Sequence, residues 1–190
     1  DSLVSTGRVR LWRDSLTVTA DSLFHDRETG RSYFRGGPPA VSHPDYSLRA
    51  DSLNVLAVEG ELERIVAVGG GRGEFISSTA DTTAAPPDSL SEEGSWIEGD
   101  SLRLFFGRGE IDSMHAVGSA RSLYRDTGRG GVNYVQGSAI LLVFRDRQLE
   151  VVEVGGGGRG VYIPADSGGA ITVIPDSAGF VAPVDTSSPR

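Results

Sequence analysis

The side chains of this chain that could do chemistry are few and repetitive. They are His25, His43 and His115, a series of Asp-Ser pairs, two glycine runs, and basic residues that are all arginine. Imidazole metal ligation uses spacings such as H-x-x-x-H, often joined by cysteine; no two of these histidines are so spaced and the cysteine count is zero. His43-Pro44-Asp45 sets one imidazole near a carboxylate in a turn. Six of the Asp-Ser pairs, those beginning at Asp14, Asp21, Asp51, Asp88, Asp100 and Asp112, invite a catalytic or metal reading. A nucleophilic serine needs a base and an oxyanion site, which repeated serines at strand starts do not supply. Their expected role is structural, with Asp and Ser bonding backbone N–H groups where the chain enters a strand. Stacked aspartates could also hold calcium, but the Gly-Gly-x-Gly-x-Asp period of calcium-binding β-rolls is missing. No catalytic residue, metal ligand or cofactor is assigned, and an enzyme is the least supported class.

The runs Gly69-Gly70-Gly71-Arg72-Gly73 and Gly155-Gly156-Gly157-Gly158-Arg159-Gly160 lack the Gly-Lys-Ser/Thr ending of a phosphate loop, and neither precedes a helix. Flexible corners between strands account for both, and for Gly118-Ser119-Ala120-Arg121 in the equivalent place. Arginine forks suit phosphate or carboxylate when clustered. Along the sequence they are scattered. The net charge of -8 argues against binding a phosphate backbone, so nucleic acid is not an expected partner.

These groups sit in a repeated unit. Asp51-Ser52-Leu53 opens a stretch that runs through Leu62 and Arg72 to Phe75 and aligns without a gap on 100–124, and a third copy spans 138–162. Leu53, Leu102 and Ile140 correspond, as do Val55, Leu104 and Leu142, and Arg72, Arg121 and Arg159. A looser copy starts at Asp21. Such self-similarity is one supersecondary unit reused, each burying its apolar face on its neighbours. Leu102, Leu104 and Phe106, like Ile140, Leu142 and Phe144, alternate with period two, so each copy is a β-hairpin. Leu62 and Ile65, Ile111 and Met114, and Leu149 and Val152 are three apart, which predicts a bulge at one place in every copy. Otherwise only one of each pair faces inward.

Strands are expected at 8–12, 15–24, 32–34, 46–58, 62–68, 73–77, 96–106, 110–117, 120–124, 132–144, 148–154, 159–163 and 170–174. No helical pattern competes. The fold class is all-β: a sandwich, jelly roll or stack of hairpins. Gly37-Pro38-Pro39 and 79–93 read as loops. Residues 1–164 form the repeat domain, and 165–190 a terminal strand with a Pro/Ser-rich tail. No segment approaches the roughly 20 apolar residues that span a bilayer as a helix. No signal peptide is read at Asp1-Ser2-Leu3, which fits a mature or trimmed form. The missing cysteine fits a reducing compartment or an exported protein built without disulfides.

Leu16-Thr17-Val18-Thr19-Ala20-Asp21-Ser22-Leu23 with Thr29-Gly30-Arg31, then Leu48-Arg49-Ala50-Asp51-Ser52-Leu53 through Gly60, then Glu98-Gly99-Asp100-Ser101-Leu102-Arg103-Leu104 resemble the apolar-Ala-Asp-x-Leu strand pairs of the OstA-like family (LptA and N-terminal LptD-like proteins of lipopolysaccharide transport). The likeness covers most of 8–163. This chain departs from short members in being acidic and free of lysine, and in its insertion at 79–93. The resemblance implies a folded-over β-jelly roll whose apolar interior holds lipid acyl chains and whose ends stack strand on strand. It implies a non-enzymatic periplasmic carrier or bridge for a lipopolysaccharide-like glycolipid, in the periplasm or cell envelope of a diderm bacterium. Leu53, Val55, Leu102, Leu104, Phe106, Ile140, Leu142 and Phe144 then line a lipid groove or pack a dry core. Val9 and Leu11 at one end, with Ile171 and Val173 at the other, are the candidate edges for pairing with itself or a homologous jelly roll. The competing reading is a structural protein assembling head to tail into an extracellular filament or surface layer.

Overall fold

The computed structural model describes residues 1–13, 15–76, 94–126, 131–163 and 172–174. The expected loop at 79–93, Asp14 and Asp88, Ile171, and all of 165–190 except 172–174 lie outside them. The described chain is all β: β1 (Ser2–Arg13), β2 (Leu16–Asp26), β3 (Arg31–Arg35), β4 (Ala40–His43), β5 (Tyr46–Arg49), β6 (Ser52–Val58), β7 (Glu61–Phe75), β8 (Ser95–Gly107), β9 (Glu110–Asp126), β10 (Gly131–Arg145), β11 (Gln148–Gly155), β12 (Arg159–Ile163) and β13 (Thr172–Ile174). All pairings are antiparallel within one sheet, and β7-β5-β4-β2-β3-β6 close a ring through the β6–β7 pairing.

The sheet is folded over into two layers, because six long strands cross from one to the other. One half of β7 pairs with β6 and the other half with β5. β2 divides in the same way between β3 and β4, and β10 between β11 and β12. The first layer therefore holds β3, β6 and β11 with one half of each long strand. The second holds β4, β5, β12 and β13 with the other halves.

Bulges mark the crossing. Gly7-Arg8 lies opposite the single residue Asp21, Gly69-Gly70 opposite Asp100, and Gly118-Ser119 opposite both Asp100 and Ser138. Two residues against one bend a strand and raise its twist, and successive bulges in neighbouring strands turn a bend into a fold line. Both members of each pair have positive φ, including Arg8 and Ser119 at 46° and 48°. A further constraint requires glycine at two of these places. At Gly69 (φ 83°) a Cβ would overlap the Asp51 carboxylate, and at Gly118 (φ 80°) that of Asp100.

The Asp-Ser expectation is thereby corrected at the fold line. Asp21 and Asp51 use their backbone amides there, donating to the carbonyls of Gly36 (3.1 Å) and Gly69 (3.0 Å), while their exposed carboxylates lie over glycine. A carboxylate bonding backbone in a turn is found instead at Asp26, which accepts from the Glu28 amide (3.0 Å) and the Thr29 hydroxyl (2.7 Å). The Thr29 hydroxyl is the main reason its carboxyl titrates below the usual range.

The second row of bulges is the one read from the three-apart pairs. Glu63, Asp112 and Glu150 are the extra residues in β7, β9 and β11. Each lets both flanking apolar residues face inward. Ile65 and Met114 have no exposure, Leu62 and Ile111 pack on the core, and Leu149 and Val152 are buried. The hairpins beside these bulges turn through Glu59-Gly60, Arg108-Gly109 and Asp146-Arg147, with positive φ at both central residues, the geometry that suits strand twist.

Several expected elements differ from those found. The strands expected at 62–68 and from 73 onward are one strand, Glu61–Phe75, as are 110–117 and 120–124, since a bulge bends the ladder without ending it. Residues 46–58 are two strands, because the chain changes layers at Ala50 and Asp51. β4 was not expected, and β1 begins earlier than residue 8. The Gly37-Pro38-Pro39 stretch does connect strands without being one.

Gly109 (φ 82°) has open space where a Cβ would point, whereas Gly118 shares its φ but faces Asp100. Gly109→Ala is expected to cost about 1–2 kcal/mol of left-handed strain. Gly118→Ala is expected to cost clearly more in urea denaturation, since Asp100 must also move. Equal losses would show that the aspartate–glycine contact does not hold the fold line.

Candidate functional site

The space between the layers is built from register. Phe34, Leu53, Ala67, Leu102, Ala116 and Ile140 are successive cross-strand partners on the inner face of the first layer. From Leu53 onward large and small side chains alternate along that row. A second row runs Val55, Ile65, Leu104, Met114, Leu142 and Val152. The second layer answers with Val18, Val41, Leu48, Gly73, Ile97 and Ser122. Ser122 is polar but satisfied, its hydroxyl donating to the Trp96 carbonyl at 2.8 Å. Leu102 uses the space above Gly73, where a Cβ would come within 3.1 Å of its Cδ2. The layers are therefore in contact near the fold line, and the interior there is filled.

All eight candidate groove residues lie on inner rows of the first layer. Leu102, Leu104, Ile140 and Leu142 have no exposure, Leu53, Val55 and Phe106 are buried, and Phe144 is partly buried. The inner residues of the second layer, notably Tyr46, Phe75 and Ile97, were not singled out from the sequence. Their segments are short or interrupted by glycine, so the period-two signal is weak there.

Away from the fold line the two layers meet at a mouth. Tyr46 packs on Phe106 (ring centroids 5.7 Å) and Phe75 meets Phe144 edge-on at 5.2 Å. Arg147, in the β10–β11 turn, pairs with Asp45 in the β4–β5 turn, joining residues 102 apart in sequence. Both side chains are near half exposed, so the pair contributes about 0–1 kcal/mol. The His43-Pro44-Asp45 turn does set imidazole and carboxylate together: the Asp45 amide donates to His43 Nδ1 at 3.2 Å, and the ring stacks on Tyr46 at 4.6 Å. Burial, with the Asp45 charge adding to it, pushes the Tyr46 hydroxyl pKa upward. The cleft among these residues holds about 50 Å³, room for a few waters and far too little for an acyl chain. His25 and His115 lie elsewhere, on β2 and on the outer face of β9. Among the described residues no group of three or more His, Asp or Glu is placed to hold a metal.

The ends of the sheet differ from its middle. β1 pairs only with β2, and its outer edge has no ladder partner among the described residues. Val9 points inward and is buried, whereas Leu11, also on an inner row, is 37% exposed, and Trp12 is 75% exposed. The inner row is thus uncovered at this end. At the other end β11 closes the first layer and β13 the second, with Val173 in β13 paired to Val161. The sequence reading had not marked β11 as an edge.

No protein-family model matches the chain, and no curated protein does. Among solved structures the fold is similar to that of LptH, the LptA-homologous periplasmic component of the lipopolysaccharide transport device of Pseudomonas aeruginosa. The TM-score is 0.56 at 16% identity, over 85% of this chain and 95% of that one. The chain has the LptA-like fold, a folded-over β-jelly roll, as the OstA-like resemblance implied.

Leu104→Ala is expected to cost about 2–5 kcal/mol in thermal or urea denaturation, as a large buried side chain replaced by a small one. Arg103→Ala, on the opposite face, should stay within about 0.5 kcal/mol. Similar losses would place Leu104 outside the packed interior.

Proposed function

We propose that this protein is a non-enzymatic carrier or bridge that holds glycolipid acyl chains between its two layers, in the periplasm or cell envelope of a diderm bacterium. The observation that carries the reading is the asymmetry of the sandwich. Its layers are covalently continuous along the fold line, whereas the contacts described across the mouth are side-chain ones, ring contacts and the exposed Arg147–Asp45 pair among them. Opening the mouth breaks no backbone hydrogen bond of the ladder. An acyl chain entering there meets Phe75, Phe106 and Phe144 first, then Leu104 and Leu142. Each methylene it buries contributes about 0.8 kcal/mol, which offsets the contacts given up between the layers. The solved relative in fold is itself a component of a lipopolysaccharide transport device.

Such a bridge needs contact with copies or homologues, and the free edge of β1 supports it. A long strand edge with exposed Leu3, Val4 and Trp12 is a template for strand addition. Val9 and Leu11 on β1 and Ile171 and Val173 at the far end are the proposed pairing segments, with β11 as a further edge. The same edge also suits the filament reading, which lacks a use for the mouth.

Two cysteines placed by Asp45→Cys and Arg147→Cys can be joined by a short bismaleimide, since the chain has no other cysteine. The cross-linked protein is expected to lose uptake of a fluorescent lipopolysaccharide, while the unlinked double variant retains it. Equal uptake by both would exclude this mouth as the route, and no uptake by the parent protein would overturn the carrier reading. For the ends, Val9→Pro and Val173→Pro should each slow self-association in sedimentation velocity at matched concentration. Unchanged association in both would rule out end-to-end strand pairing.

A further inference from the structure

The repeat that looks scattered in sequence places its arginines in one line. Arg10, Arg49, Arg72, Arg121 and Arg159 occupy a single register row on the outer face of the second layer, with Glu98 the row's only carboxylate among the described residues. Glu98 is held from both sides, by Arg72 Nη1 at 2.8 Å and Arg121 Nη2 at 2.7 Å. Arg72 also reaches Glu74 at 3.3 Å and lies 4.5 Å over the Trp96 ring. Arg49 lies 3.6 Å from Glu74. Among the described residues, five guanidiniums on this face thus share two carboxylates, Glu98 and Glu74.

The row ends in a concavity. Arg121 and Arg159 flank Gln136 on adjacent strands, and with Ser119, Gly156 and Gly157 they border an open depression of about 500 Å³. Two strand spacings separate the arginines, roughly 10 Å between backbones, so both forks can converge on one tetrahedral anion above the Gln136 amide. Arg121 also pairs with Glu98 on its other side, through Nη2 at 2.7 Å, which leaves its Nε and Nη1 for a ligand. One row further along the same face run Trp96, Leu123 and Tyr134, with the Trp96 and Tyr134 rings edge-on at 6.3 Å. Such aromatic faces suit the apolar side of a sugar ring.

We propose that this depression binds a phosphomonoester carried by a saccharide, the phosphate between Arg121 and Arg159 over Gln136 and the sugar toward Tyr134. The site lies on the outside of the second layer and does not depend on what the interior holds. The sugar phosphate is either free or the headgroup of a lipid, and the same pocket chemistry serves both.

Calorimetric titration with glucose 1-phosphate, with glucose as the uncharged control, tests it on the whole chain. The expected result is saturable binding of the phosphate alone, weakened by salt and reduced about tenfold or more by Arg159→Gln or Arg121→Gln. Arg103→Gln, exposed on the other layer, should bind like the parent. A second arm uses phosphatidylcholine vesicles with and without a phosphorylated disaccharide lipid. Binding to the phosphorylated vesicles only, with the same Arg159 dependence, assigns the site to a lipid headgroup. Failure of both phosphate probes, or binding unchanged in Arg159→Gln, overturns the proposal.

Discussion

The backbone ladder has to remain satisfied while the sheet doubles back, and that constraint organises this molecule. A sheet bent without provision for the bend would pull its ladder apart there and leave N–H and C=O groups unpaired. Here the strands continue through the fold, and aligned two-against-one bulges take up the bend. Gly69 and Gly118 leave the room that Asp51 and Asp100 occupy. The recurring Asp-Ser-Leu phrase is therefore a folding instruction. Its aspartate sits on the fold line, its leucine enters the first layer, and the glycines some 15 to 18 residues later in the chain close on an aspartate of the same phrase.

From that continuity follows the inequality between the two sides of the sandwich. Along the fold line the layers cannot part, because the strands themselves run from one into the other. At the mouth they are joined by Tyr46 on Phe106, Phe75 on Phe144, and the Arg147–Asp45 pair, which is exposed enough for water to screen it. The interior is packed near the fold line, and toward the mouth it is closed by the rings of Tyr46, Phe75, Phe106 and Phe144. A binding protein of this form does not need a standing cavity. It needs a core whose own contacts are replaceable by a guest of the same chemistry, and hydrocarbon against Leu, Ile, Val and Phe is such a guest.

Register also governs the outer faces. A repeat of hairpins places equivalent residues on neighbouring strands, so an arginine that recurs once per unit becomes a row of arginines. Three of the five in that row are the equivalent residues Arg72, Arg121 and Arg159. The same periodicity thus makes the interior apolar and gives the outer face of the second layer its charged row.

Much of this was legible in the sequence. Period-two alternation identified the hairpins and the inward side of Leu102, Leu104, Ile140 and Leu142, because a strand's two faces are set by parity alone. The three-apart pairs located the bulges at Glu63, Asp112 and Glu150, since one inserted residue leaves an odd step in an even pattern. The OstA-like phrases anticipated the fold. What the chain could not disclose depended on partners distant along it. Whether Gly69 and Gly118 end a strand or bend it is decided by Asp51 and Asp100 beside them. That Phe75 meets Phe144, and Asp45 meets Arg147, requires the layers to be superposed, which local pattern does not encode. The arginines looked dispersed for the same reason: sequence distance separates Arg72 from Arg121 and Arg159, and only strand pairing brings them into line.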